Sequence, residues 1–91
     1  MDSNNLQSAF GCKLKILRKI RNLTQESLAE KAEISPEYLS KIERGTVSPS
    51  FMVITRLAKS LNIEVVELFD FSLLDAPEEI IKRRNKNRDD L

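Results

Sequence analysis

Apolar residues recur along most of this chain at spacings of three and four, and that periodicity commits it to helices. Phe10, Leu14 and Leu17 fall at i, i+4 and i+7, with Ile20 extending the stripe, which predicts an amphipathic helix over about 8–21. Residues 1–9 read as an N-terminal tail, and Asn22 as the stop of the first helix. Strand signals are nearly absent: aromatics are few, no stretch alternates, and there is no Asn-Gly turn.

Helix-start signals then repeat. Thr24 caps a second helix running to about Ala32, with Leu28 and Ala32 facing inward. Ser35-Pro36-Glu37 opens a third with a capping hydroxyl, a proline at the first helical position and an acid in the first turn. Gly45 supplies the left-handed residue that ends it, and 46–49 form a loop. Ser50 caps a fourth helix whose inward face reads Phe51, Ile54, Leu57, Ala58 and Leu61, closing near Asn62. Residues 64–69 form a short fifth helix carrying Val65, Leu68 and Phe69. Asp75-Ala76-Pro77-Glu78 is a capping box that starts a charged helix over about 76–87. Short connections between short helices describe an all-α domain over 10–69, with 70–91 as a C-terminal helical extension.

Composition removes most chemistry. The 91 residues contain no His and one Cys, so zinc sites built on His, Ser-His triads, Cys-His pairs and an internal disulfide are all excluded. No nucleophile or metal set is clustered, so neither an enzyme nor a cofactor is expected. Cys12 reads as an outward-facing residue without a chemical role. The N-terminus has neither a basic start nor an apolar stretch, and no run approaches the ~20 residues of a membrane span. The expectation is a cytoplasmic protein without a membrane partner.

The net charge of +1 is uninformative, but its distribution is not. Residues 12–21 hold five bases (Lys13, Lys15, Arg18, Lys19, Arg21) and no acid, whereas 64–79 hold six acids and no base. Such sorting presents a basic face on a nearly neutral chain, or simply solvates helix surfaces.

The second and third helices, joined by a three- or four-residue turn, have the spacing of a helix-turn-helix over about 25–44. Ala29 is the small residue a steep, close crossing needs, and Ile34 plugs the angle. At 100° per residue, Leu39 and Ile42 define the inward side of the third helix. The opposite side falls on Glu37, Lys41 and Arg44, with Ser40 at its edge and Tyr38 part-way round. A nine-residue helix is ~13 Å long and the B-DNA major groove ~12 Å wide. Lys41 suits guanine O6/N7, Glu37 cytosine N4, and Ser40 either. Arg44, Gln25 at the start of the second helix, and the hydroxyls of Ser35, Thr46 and Ser48 suit phosphate oxygens.

These residues carry a resemblance. Phe10-Gly11, Leu14, Leu17-Arg18, Leu23-Thr24-Gln25, Leu28-Ala29, Ile34-Ser35, Leu39-Ser40, Ile42-Glu43-Arg44-Gly45, Pro49-Ser50, Leu57-Ala58, Leu61 and Glu67-Leu68-Phe69 together resemble the Cro/phage-repressor type (Xre-like) helix-turn-helix family. The resemblance implies a five-helix, lambda-repressor-like DNA-binding domain whose third helix enters the major groove. It assigns base-facing roles to Pro36, Glu37, Tyr38, Ser40 and Lys41, and phosphate roles to Gln25, Arg44 and Thr46. It also implies a structural ion pair between Arg18 and Glu43. Two departures stand out. Glu33 occupies a turn position commonly filled by Gly, so a slightly reshaped turn is expected, and Pro36 removes a backbone donor at the DNA-facing end.

The resulting expectation is a transcriptional regulator that binds a near-palindromic double-stranded DNA operator as a homodimer. Leu68, Phe69, Phe71, Leu73, Leu74, Ile80 and Ile81 are the candidate dimer contacts; the alternative is that they fold back on their own domain. The basic residues from Lys82 to Lys86 either touch flanking phosphates or stay solvated. The same fold also accommodates an autoregulating antitoxin bound to a toxin, a restriction–modification controller protein, or a protein-interaction module. Contact with RNA polymerase is left open.

Overall fold

The computed structural model describes residues 3–72 and 74. Five helices follow one another: α1 (Ser3–Ile20), α2 (Gln25–Ala32), α3 (Pro36–Glu43), α4 (Phe51–Ser60) and α5 (Val65–Leu68). Among the described residues there is no strand. The expected helix over 76–87, Leu73, Ile80, Ile81 and the basic stretch after them lie outside the described residues.

The helix starts rest on hydroxyl caps. Thr24, Ser35 and Ser50 sit in extended backbone, and each side chain accepts from the N–H three residues on, at Ser27, Tyr38 and Val53. This satisfies donors that the first helical turn leaves unpaired.

The helix ends share one device. Asn22, Glu33, Gly45 and Asn62 all adopt positive φ, between 56° and 76°. After each, the next N–H reaches back to a carbonyl five residues earlier: Leu23 to Arg18, Ile34 to Ala29, Thr46 to Lys41, and Ile63 to Ala58, all at 3.0–3.1 Å. Such closures place an apolar residue just past the helix. Here Leu23, Ile34 and Ile63 pack against the core from that position. Glu33 corrects the expectation of a reshaped turn. It takes the left-handed conformation itself (φ 59°, ψ 41°), at a cost of about 1 kcal/mol relative to a glycine.

Phe10, Leu14 and Leu17 of α1 meet Leu28, Ala29 and Ala32 of α2, Leu39 and Ile42 of α3, Ile54, Leu57, Ala58 and Leu61 around α4, and Leu68 of α5 in one buried cluster. α3 packs on α1 and α2, α2 also on α4, and α5 on α4 and α1.

Three expectations need correction. Phe51, assigned to the inward face of α4, is 88% exposed. Periodicity gives a side chain its direction but not a neighbour to cover it, and the first position of α4 has none among the described residues. Residues 3–9 are helical, not a tail. Leu6 continues the Phe10 stripe by one turn, and the added turns lie over the end of α3, where Gln7 Nε2 donates to the Gly45 carbonyl at 3.5 Å. Finally, Leu68 is fully buried within its own domain, so it cannot serve as a dimer contact.

Gly11 sets how closely α1 and α3 approach. A Cβ placed there would lie 2.6 Å from the Glu43 carbonyl oxygen, and nearer still to that of Ile42. Both obstacles are backbone, so the helices would have to separate. Gly11→Ala is expected to destabilise the domain by about 3 kcal/mol or more, at the upper end of overpacking costs. Urea unfolding followed by circular dichroism measures it; a loss below about 1 kcal/mol would contradict the close approach.

Candidate nucleic-acid interface

The orientation of α3 is fixed from beneath. Leu39 and Ile42 are buried in the core, and Glu43, at the last helical position, is buried with them. Arg18 from α1 meets this carboxylate side-on: Nε donates to Oε2 at 2.7 Å and Nη2 to Oε1 at 3.1 Å. The remaining guanidinium nitrogen, Nη1, donates to the Leu23 carbonyl just ahead of α2 at 2.7 Å. Gln25 Nε2, in the first turn of α2, donates to Glu43 Oε1 at 3.0 Å. Two parallel charge-assisted bonds satisfy both carboxylate oxygens. Among the described residues no buried side-chain polar atom is left without a partner.

With that side anchored, the other side of α3 is free. Pro36, Glu37, Lys41 and Arg44 are exposed, while Tyr38 and Ser40 are half-buried. Pro36 occupies the first helical position, where its missing N–H costs nothing. Exposed Ser35, Thr46 and Ser48 flank the helix, and half-buried Gln25 stands beside it on α2.

The hydrogen bonds limit what some of these groups offer. Thr46 gives both its hydroxyl and its N–H to the Lys41 carbonyl, so it has no spare donor for a phosphate in the free protein. Arg44 Nε donates to Ser40 O at 3.3 Å, leaving its other guanidinium nitrogens free to donate. Ser35 Oγ accepts the Tyr38 N–H and retains its own hydrogen. Gln25 keeps its carbonyl oxygen and one amide hydrogen.

The basic run on α1 is not one surface. Lys13 is only 3% exposed, its ammonium 3.8 Å from Glu67 of α5, and Arg18 is the buried partner of Glu43. Exposed Lys15 and Lys19 and half-buried Arg21 remain. Counting bases along the sequence overstates this patch, because two of the five are used inside the domain.

Sequence reasoning missed the Lys13–Glu67 pair, the Gln25–Glu43 bond and the demand on Gly11. Only the last had a visible signal, since a glycine inside a helical pattern often marks close packing. Cys12 is exposed, as its position on α1 suggests. The described residues contain no cluster of His, Cys, Asp or Glu that could hold a metal. None of their helices is long and apolar enough to cross a membrane.

The helix-turn-helix family profile matches residues 14–68, which spans the core, the buried pair and the exposed face of α3. The chain belongs to this family. It is a DNA-binding transcriptional regulator of the Cro/C1, or Xre, type. Control protein C.BamHI of Bacillus amyloliquefaciens is 34% identical over 73 residues, covering 79% of this chain and 90% of that protein. The immunity repressor of Bacillus phage phi105 is 46% identical over 55 residues, covering 60% of this chain and 38% of its own length. The crystal structure of the restriction-modification controller C.AhdI from Aeromonas hydrophila superposes with a TM-score of 0.69 at 38% identity, covering 69% of this chain and 96% of that one. These relatives are transcriptional regulators.

Neutralising one end of the buried pair tests its role. Glu43→Gln leaves the Arg18 charge buried without a counter-charge, and is expected to cost about 3–5 kcal/mol. Replacing both residues with apolar side chains of similar volume should recover much of that loss. Thermal unfolding of the three proteins reads the difference; a double variant no more stable than Glu43→Gln would contradict it.

Proposed function

We propose that this regulator binds a near-palindromic operator as a homodimer, laying one α3 in the major groove of each half-site. The supporting observation is the two-sidedness of α3. Leu39, Ile42 and Glu43 hold one side, while Glu37 and Lys41 stand exposed on the other, unpaired among the described residues. Eight helical residues span about 12 Å, which matches the width of the groove.

In this reading Glu37, Ser40 and Lys41 meet base edges, with Pro36 and Tyr38 beside them. Gln25, Ser35, Arg44 and Ser48 hold the flanking phosphates. Thr46 contributes only if its hydroxyl leaves the Lys41 carbonyl. Phosphate contacts fix the register on the duplex, and base contacts select the sequence.

Half-sites one helical turn apart need recognition helices ~34 Å apart, hence two copies. The α5 region favours a second copy as partner. Val66 is 75% exposed, Val65 and Phe69 stand partly exposed beside it, and Phe71 packs edge-on against Phe69 with ring centres 6.3 Å apart. Leu74 is half-buried at the end of the described chain.

A narrower reading, control of a restriction–modification system, is favoured by length. The two control proteins named above match this chain over 90% and 96% of their own extent, so the likeness is to nearly all of each.

Measuring affinity against salt tests DNA binding through phosphates. A dimer making ~6–10 such contacts gives a steep fall in log K with log salt, whereas a flat dependence would contradict the proposal. Lys41→Ala is expected to relax preference at one position of each half-site. Gln25→Ala is expected to weaken all sequences alike.

A further inference from the structure

We propose that Glu37 sets specificity by exclusion, restricting one position in each half-site to cytosine. This rests on the reading of α3 as the groove-entering helix. Glu37 is exposed in the first turn of that helix, and Lys41 lies one turn further along the same face. A Glu followed four residues later by Lys is the favourable arrangement for a helical ion pair, yet the two are not paired. The ion pairs among the described residues are Lys13–Glu67 and Arg18–Glu43. Among the described residues the carboxylate therefore has no counter-charge of its own.

An ionised carboxylate only accepts hydrogen bonds, and losing water without gaining a donor is costly. Guanine offers O6 and N7, both acceptors, and thymine offers O4 beside a methyl group. Adenine sets its N6 donor next to the N7 acceptor, which repels a second carboxylate oxygen. Cytosine N4 is the donor without that penalty. Within a groove already lined by phosphates, Glu37 thus disfavours every duplex lacking cytosine there. Its contribution is to weaken incorrect sites more than to strengthen the correct one.

Glu37 and Lys41 are separated by four residues, about 6 Å along the helix axis. With Lys41 on guanine O6/N7, each half-site carries a required cytosine and a preferred guanine close by.

A structural role for Glu37 is separable. An acid in the first turn favours the helix dipole, and that effect has no bearing on base identity. The test is selection of bound duplexes from a random pool by the full chain and by Glu37→Gln, with thermal unfolding alongside. Glutamine keeps the shape, loses the charge and pairs with adenine N6/N7. The expected result is a cytosine position in the native selection that becomes adenine in the Glu37→Gln selection. Binding to random duplex should tighten severalfold, with little change in melting temperature. A selected motif that is the same for both proteins would overturn the role of Glu37 while leaving α3 as the DNA-reading helix. No enriched motif for the native chain would overturn that underlying reading instead.

Discussion

Everything that orients the recognition surface converges on one carboxylate. Glu43 ends α3 inside the domain, and its two oxygens take hydrogen bonds from Arg18 of α1 and Gln25 of α2. Arg18 also donates to the Leu23 carbonyl, so three helices are tied at a single point. A buried ion pair is a poor source of net stability, because desolvation consumes most of the Coulomb gain. Its value here is directional: the fork of the guanidinium matches the carboxylate in only one relative placement of α1 and α3. Gly11 makes that placement attainable by letting the α3 carbonyls approach where a side chain would stand.

The free face of α3 follows from this anchor. Once Leu39, Ile42 and Glu43 are held, a helix of eight residues has no freedom to roll, and Glu37 and Lys41 must face solvent. The Ser35 cap and the closure at Gly45 fix where the helix begins and ends. Glu33 in the left-handed turn shows how firmly the α2–α3 angle is imposed. The neighbouring structure holds a non-glycine residue where glycine would fit without strain.

Much of this was legible in the sequence, for definite reasons. Caps at Thr24, Ser35 and Ser50 act locally, within three residues, and the closures at Asn22 and Gly45 act within five. The outward side of α3 needed only Leu39, Ile42 and helical geometry. What the sequence concealed depends on which elements meet. Phe51 has the spacing of a core residue but stands exposed among the described residues. Leu68 has the look of an interface residue but fills its own core. Lys13 belongs to a basic run yet is buried beside Glu67, because α5 lies across α1 at that point. The extra turns at the start of α1 lie beside the distant Gly45 carbonyl, which Gln7 meets. The resemblance supplied the Arg18–Glu43 pair, which residue spacing alone does not reveal.

The most direct measurement is amide chemical-shift mapping of the isotope-labelled full chain titrated with an enriched duplex. If α3 is the groove-entering helix, the largest changes fall on residues 37–44 and around Gln25, while the buried amides of Leu14 and Leu57 stay still. Changes confined to the far ends of α2 and α4, with Glu37 and Lys41 unmoved, would contradict it.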